Sequence, residues 1–164
     1  MMSATQETFS RLSGELDYYM LVVTTVADGE RGGCLVGFST QCSIDPPRFL
    51  VCLSDKNRTT RLARRAPALA VHFLPDSAQE LAELFGSQTG DAVDKFARCR
   101  WHSGPDDLPI LDDCDRWFAG RVLEHRALGD HIGFLLEPFA AERSGPAGNY
   151  PFHRAKRLEP GHDA

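Results

Sequence analysis

Apolar and polar positions along this chain group into short blocks, the spacing of strands rather than of long helices. Residues 21–26 are apolar and β-branched, as strands prefer. Asp28-Gly29 and Gly32-Gly33 are turn signals, and a second apolar block follows, so the pattern predicts a hairpin. Pro46-Pro47 precedes a compact apolar block at 49–53. Proline lacks the N–H a central strand needs, which puts that strand's start after the pair. Leu62, Ala63 and Ala66 share one helical face, between a cap at Asn57 or Thr59 and a stop at Pro67. Residues 68–74 read as the next strand. Leu81, Leu84 and Phe85 form the apolar face of a second short helix, capped by Asp76 or Ser77 and closed by Gly86. A polar, irregular stretch over 87–109 is expected to be a functional loop or partly helical. Residues 116–123 and 131–136 are the last predicted strands.

Six or more short strands with turn punctuation, two short helices and one long loop describe a small β-barrel. The 164 residues suffice for one domain with its own core, and 42% apolar with 25% charged residues is a globular balance. A formal net charge of −5 argues against a nucleic-acid partner. No apolar run approaches the ~20 residues of a membrane helix. The first residues lack the basic and apolar regions of a secretory signal, so no membrane partner is expected. The five cysteines are odd in number and form no CxxC pair; free thiols and a cytoplasmic setting are the expectation.

Four stretches carry candidate chemistry. SIDPP (43–47) combines side chains that bond nearby backbone with two stiff prolines, and is compatible with a purely structural turn. SDKNRTTRLARR (54–65) places hydroxyls, an amide and four arginines near a helix start. That suits a phosphate, and equally a capped, solvated helix. Lys95, in DKF, is a lone cation in the long loop. Gly129-Asp130-His131 sets an imidazole between a turn and an apolar strand. Asp130 can orient the ring for anion binding or proton transfer, or the histidine simply packs locally. His72 alternates with Val71 and Phe73 in a strand, while His102, His125, His153 and His162 have mostly polar or turn neighbours. The sequence shows no HExxH, GxGxxG, P-loop or GxSxG motif, so zinc-hydrolase, Rossmann, P-loop and serine-hydrolase chemistry have no support, and no metal is expected.

Taken in order, VVTTVADGERGG, TQCSIDPPRFLVCLS, NRTT, DKF, LPILDD and GDH resemble the flavin reductase family over residues 19–138. The resemblance implies a mainly β fold with short helices, the FMN-binding split β-barrel. It also implies an N-terminal segment at 1–18, a barrel domain at 19–140 and a C-terminal extension at 141–164. The implied activity is hydride transfer from NADH or NADPH to FMN (or FAD), in a homodimer that can supply a partner monooxygenase. Cys42, Ser43 and Asp45 would line the isoalloxazine and ribityl chain, and Asn57, Arg58, Thr59 and Thr60 would hold the phosphate. Lys95 would be a second phosphate or ribityl donor, and His131, oriented by Asp130, would stand by the flavin or nicotinamide. Where many members carry a Thr-x-Ser-Ser run, this chain has Leu35-Val36-Gly37-Phe38. Backbone N–H groups would then meet the ring edge, Gly37 would allow close approach and Phe38 would pack on the ring. The same barrel also accommodates a non-catalytic flavin- or haem-binding protein, or a deazaflavin-dependent reductase.

Overall fold

The computed structural model describes residues 1–146 and 148–159, so His162 and the end of the expected C-terminal extension lie outside the described residues. The strands are β1 (Leu21–Ala27), β2 (Glu30–Val36), β3 (Ser39–Ser43), β4 (Arg48–Ser54), β5 (Ala68–Phe73), β6 (Trp101–Ser103), β7 (Pro109–Leu111), β8 (Arg116–Ala127) and β9 (His131–Arg143). The helices are α1 (Ala4–Gly14), α2 (Arg58–Ala63), α3 (Gln79–Ser87) and α4 (Phe152–Ala155). Seven strands form one antiparallel sheet in the order β2-β1-β5-β8-β9-β4-β3, and β6 pairs with β7 in a separate two-stranded sheet.

One buried cluster takes Cys34 and Val36 from β2, Leu21 and Val23 from β1, Val71 from β5, Phe134 from β9, and Val51 and Leu53 from β4. In the hydrogen-bonded order β2 and β4 are separated by β1, β5, β8 and β9. Both can reach one core only because the sheet curls, giving the expected mainly β split barrel with short helices. A second cluster lies on the other side of β1, where Met20 and Val22 meet Leu74, Phe85, Phe96 and Tyr150. β1 is therefore covered on both faces and reads as a continuous apolar run rather than an alternating one.

The structure moves several expected boundaries. The β1–β2 connection is made by Asp28 and Gly29 alone, both with positive φ (53° and 78°), the geometry of a tight hairpin turn. Gly32 and Gly33 are not turn residues; they lie inside β2. A Cβ at Gly32 would come within 2.7 Å of Leu62 Cδ1, and one at Gly33 within 2.7 Å of Phe85 Cε1, so these glycines let α2 and α3 pack onto the strand. The residues expected to start α3, Asp76 and Ser77, make no cap; Ala78 stands at the N-cap position without a side-chain bond. Gly86 sits within α3 because a Cβ there would meet Leu35 Cδ2 at 2.7 Å.

SIDPP closes a hairpin between β3 and β4, and β3 is a strand the proline pair had hidden. The long polar stretch contains two 3₁₀ turns and the β6–β7 ribbon. β8 and β9 run well past their expected ends, carried by register shifts at Ala119/Gly120 and Val122/Glu124. The expected division at residue 140 falls inside β9. Beyond it, Tyr150 is fully buried, and its backbone exchanges bonds with both Met20 and Leu74.

Two buried polar side chains fasten the layers. The His72 Nδ1 lies 3.0 Å from the Val22 carbonyl, and its Nε2 accepts the Leu111 N–H at 3.1 Å. The ring is thus a neutral tautomer with Nδ1 protonated, and burial pushes its pKa down to about 4. Lys95 donates from Nζ to the carbonyls of Gly33 (3.0 Å) and Phe85 (3.2 Å).

Candidate functional site

Where β2 leaves the curled sheet, the chain passes Gly37 and Phe38 before turning into β3. The Phe38 carbonyl accepts the Cys52 N–H at 2.9 Å, which ties this crossing to β4. Between the ends of β2 and β4 opens a cavity of about 250 Å³. Leu35, Val36, Gly37 and Phe38 form one wall, and Ser54, Asn57 and His131 edge it. Tyr18 and Phe152 close another side, stacked at 4.6 Å and 12° between rings.

His131 opens β9 opposite Ser54 of β4, so the strand ladder fixes its backbone beside the cavity. Its Nδ1 lies 2.7 Å from Asp130 Oδ1. The imidazole is held 4.9 Å from the Phe38 ring at 50°. Asp130 precedes it in a turn where Gly129 has φ 144° and the Asp130 carbonyl accepts the Asp55 N–H. The hydrogen bond from His131, and then its charge, hold the Asp130 carboxyl below its ordinary pKa. With Nδ1 engaged by Asp130, Nε2 is the atom free to meet a ligand, as donor or acceptor according to protonation.

Two thiols border the same cavity. Burial raises Cys34 to about 11, against smaller opposing effects of Lys95 and Thr59, and burial also raises Cys52. Both are neutral at physiological pH and supply no thiolate nucleophile. Apolar walls with a small polar edge suit a flat heterocycle better than a charged substrate.

The expected site residues divide. Leu35, Val36, Gly37, Phe38, Asn57 and His131 surround the one cavity, with Asp130 behind the imidazole. Arg58 and Thr59 face a neighbouring polar cavity of about 360 Å³ instead. Asn57 spends its side-chain oxygen capping α2 through the Thr59 N–H, and Thr60 turns inward to the Ser54 carbonyl at 2.6 Å. Lys95 borders the polar cavity but is 4% exposed, and two of its donors are committed to backbone carbonyls. Cys42, Ser43 and Asp45 are not brought to the His131 cavity within one chain, because β3 carries them away along the sheet edge. Tyr18 and Phe152 were not foreseen. The aromatic pair before β1 and the YPF near the other end were the available signals, but their meeting depends on a contact across most of the chain.

Residues 13–157 match the family described as flavin reductase like domain. The "Probable flavin reductase" of Rhizobium meliloti is 30% identical over 130 residues, covering 77% of this chain and 41% of that protein. FMN reductase (NADH) RutF of Bradyrhizobium diazoefficiens is 29% identical, covering 78% of this chain and 71% of the relative. The 4-hydroxyphenylacetate 3-monooxygenase reductase component of Escherichia coli is 26% identical, with 71% and 69% covered. This chain thus spans between about two fifths and seven tenths of the lengths of these relatives. A solved structure of an FMN-binding protein from Thermus thermophilus superposes with a TM-score of 0.74 at 27% identity, covering 79% of this chain and 72% of that one. With the curled sheet, the cavity at the β2–β4 opening and a match spanning nearly the whole described chain, this protein belongs to the flavin reductase like domain family.

Proposed function

We propose that the chain is an NAD(P)H-dependent flavin reductase, transferring hydride from NADH or NADPH to FMN or FAD held in the His131 cavity. The observation that carries this reading is the pairing of an apolar wall, Leu35 to Phe38, with a polar rim at His131, whose imidazole Asp130 holds from behind. The donor set fits a flavin: Phe38, Phe152 and Leu35 offer flat or apolar surface, and Ser54, Asn57 and His131 offer polar groups at the edge. A bound flavin would supply the hydride-accepting ring. The protein's part is to hold the two reactants at ~3–3.5 Å in reactive alignment and to exclude competing geometry.

His131, fixed through Nδ1, presents its Nε2 at the rim, where the imidazolium form would donate to negative charge developing on the ring. Phe38 and Phe152, which line the cavity, would shield a bound ring from water. Arg58 and Thr59, in the adjoining polar cavity, would meet the flavin phosphate. Cys42, Ser43 and Asp45 lie on the sheet edge away from this cavity in one chain, which supports a homodimer in which a second copy brings them to the ligand. The names of the relatives support a role in feeding reduced flavin to a monooxygenase. None of the described helices is long and apolar enough to cross a membrane, and all five cysteines are free; a reducing, cytoplasmic setting belongs to the same proposal.

The decisive experiment mixes purified protein with FMN or FAD and follows oxidation of NADH and NADPH. Flavin-dependent oxidation is expected. No oxidation of either nucleotide above the protein-free rate sinks the reading.

A further inference from the structure

Two apolar surfaces of this chain have no partner within it. The first is a ridge along α1. Phe9, Leu12 and Leu16 recur at helical spacing and are 68%, 59% and 60% exposed, and no residue of α1 is buried. Ser3 and Gln6 cap the helix reciprocally. A cap alone does not keep 11 residues helical in water; helices of this length depend on packing an apolar face. The ridge therefore calls for a surface to cover it.

The second is a groove. Tyr19, Phe73, Phe118 and Phe49 form a continuous row, with successive ring centroids 5.9, 6.3 and 5.2 Å apart. Two cavities, of about 340 and 300 Å³, meet over this row at Phe73 and Phe118. The first reaches Gln41, Pro47 and Arg48 at the base of the SIDPP hairpin, and the second reaches Arg116 and Arg143. None of the residues of α1 lines either cavity in its own chain.

Charge matches the two surfaces. Arg48 is neutralised by Glu137 at 3.1 Å. Arg116 donates to the Gly148 carbonyl and the Asn149 side chain, both neutral, and Arg143 is exposed with no ion pair among the described residues. Glu142 offsets one of these two arginines, so the groove keeps one positive charge in excess. Glu7, Arg11 and Glu15 give the helix one negative charge in excess, and none of them forms an ion pair among the described residues. An acidic helix with an apolar ridge suits a basic groove with an aromatic floor.

Tyr18 and Tyr19 link the groove to the His131 cavity. They are consecutive, and Tyr18 walls the cavity while Tyr19 walls the groove. Leu16, the last ridge residue, stands two positions before Tyr18. A helix seated in the groove of a second copy therefore sets that copy's SIDPP hairpin near the Tyr18 wall of the chain that donates the helix.

We propose that α1 is an exchanged arm. Its ridge seats in the aromatic groove of a second copy, reciprocally, and each SIDPP hairpin is thereby delivered to the other chain's His131 cavity. The inference rests on the homodimer of the flavin reading and names the surfaces that build it.

The test measures mass by sedimentation, and FMN affinity by fluorescence quenching, for the full-length wild type and two double variants. One, Phe9→Ser with Leu12→Ser, breaks the ridge; the other, Tyr19→Ser with Arg143→Glu, breaks the groove. All four positions are exposed, so circular dichroism should show native β content. The wild type is expected to be a dimer at micromolar concentration. Each variant should be a monomer that binds FMN about tenfold more weakly, because a site completed by association loses affinity with it. Mixed at raised concentration, the two variants retain one intact ridge–groove contact, so a tag on one chain should recover the other. A monomeric wild type, a ridge variant that stays dimeric, or no mixed dimer overturns the exchange. Monomeric variants that bind FMN as tightly as the wild type overturn delivery of the hairpin. A wild-type dimer without flavin-dependent nucleotide oxidation sinks the flavin reading and leaves the exchange to be judged on mass alone.

Discussion

His72 and His131 occupy opposite regimes of the same barrel. His72 is buried at the meeting of β1, β5 and β7, and both ring nitrogens are bonded to backbone groups. His131 stands at a cavity rim, with one nitrogen engaged by a carboxylate and the other turned to whatever enters. Lys95 repeats the first pattern and Asp130 the second. The difference teaches that a polar side chain earns no functional reading from its type alone. Satisfied by backbone in a dry interior, it fastens elements together; satisfied on one side only, it is available for chemistry.

Breaking the buried side gives the largest expected effect. His72→Ala strands the Val22 carbonyl and the Leu111 N–H, and should cost about 4 kcal/mol in urea unfolding at neutral pH. Acid tests the same residue in the native sequence. Its pKa is about 4 in the folded protein against 6.5 for the free side chain. Above pH 6.5 the ring is neutral in both states. As pH falls towards 4, only the unfolded chain takes up the proton and stability declines; below 4 both states carry it and the loss levels off. The His72 share is roughly 3 kcal/mol, and the pH-dependence of unfolding in His72→Ala should lack that share.

On the open side, His131→Ala is expected to lower turnover about a hundredfold while flavin affinity changes far less. Turnover equal to wild type would return His131 to the fastening class. Lys95→Met leaves the Gly33 and Phe85 carbonyls without their cation and should cost about 2–3 kcal/mol in denaturant unfolding. A larger loss of flavin affinity than of stability would instead move Lys95 across the divide. The smallest effect belongs to Asp130→Asn. Asp130 is exposed, so turnover should fall only about threefold, with the fold unchanged by circular dichroism.

Much of the barrel is legible in short-range pattern. Strand blocks at 21–26, 49–53 and 68–74 are apolar at the spacing strands require, and Asn57 caps α2 as its side chain allows. What escapes the pattern is set by contacts distant in sequence. Gly32 and Gly33 look like a turn until α2 and α3 are placed against them. Lys95 looks like a ligand donor until α3 and β2 supply carbonyls on both sides. For the site, order along the chain singled out His131 and the Leu35–Phe38 wall, because a strand start and a strand end fix which residues face the sheet opening. It could not place Cys42, Ser43 and Asp45, whose position depends on how the edge strand β3 departs, nor find Phe152.

The Tyr18–Phe152 stack has a consequence for how the protein is made. Phe152 donates its backbone N–H to the Tyr18 carbonyl, and Met20 donates to Tyr150. One side of the cavity therefore joins two residues separated by more than 130 positions of the sequence. The β1–β2 hairpin can form early, but the cavity wall stays open until the segment around residue 152 has left the ribosome. A ligand that needs this wall is captured only after translation of that segment, and a nascent chain stalled before it would carry most of the barrel but lack this side of the cavity.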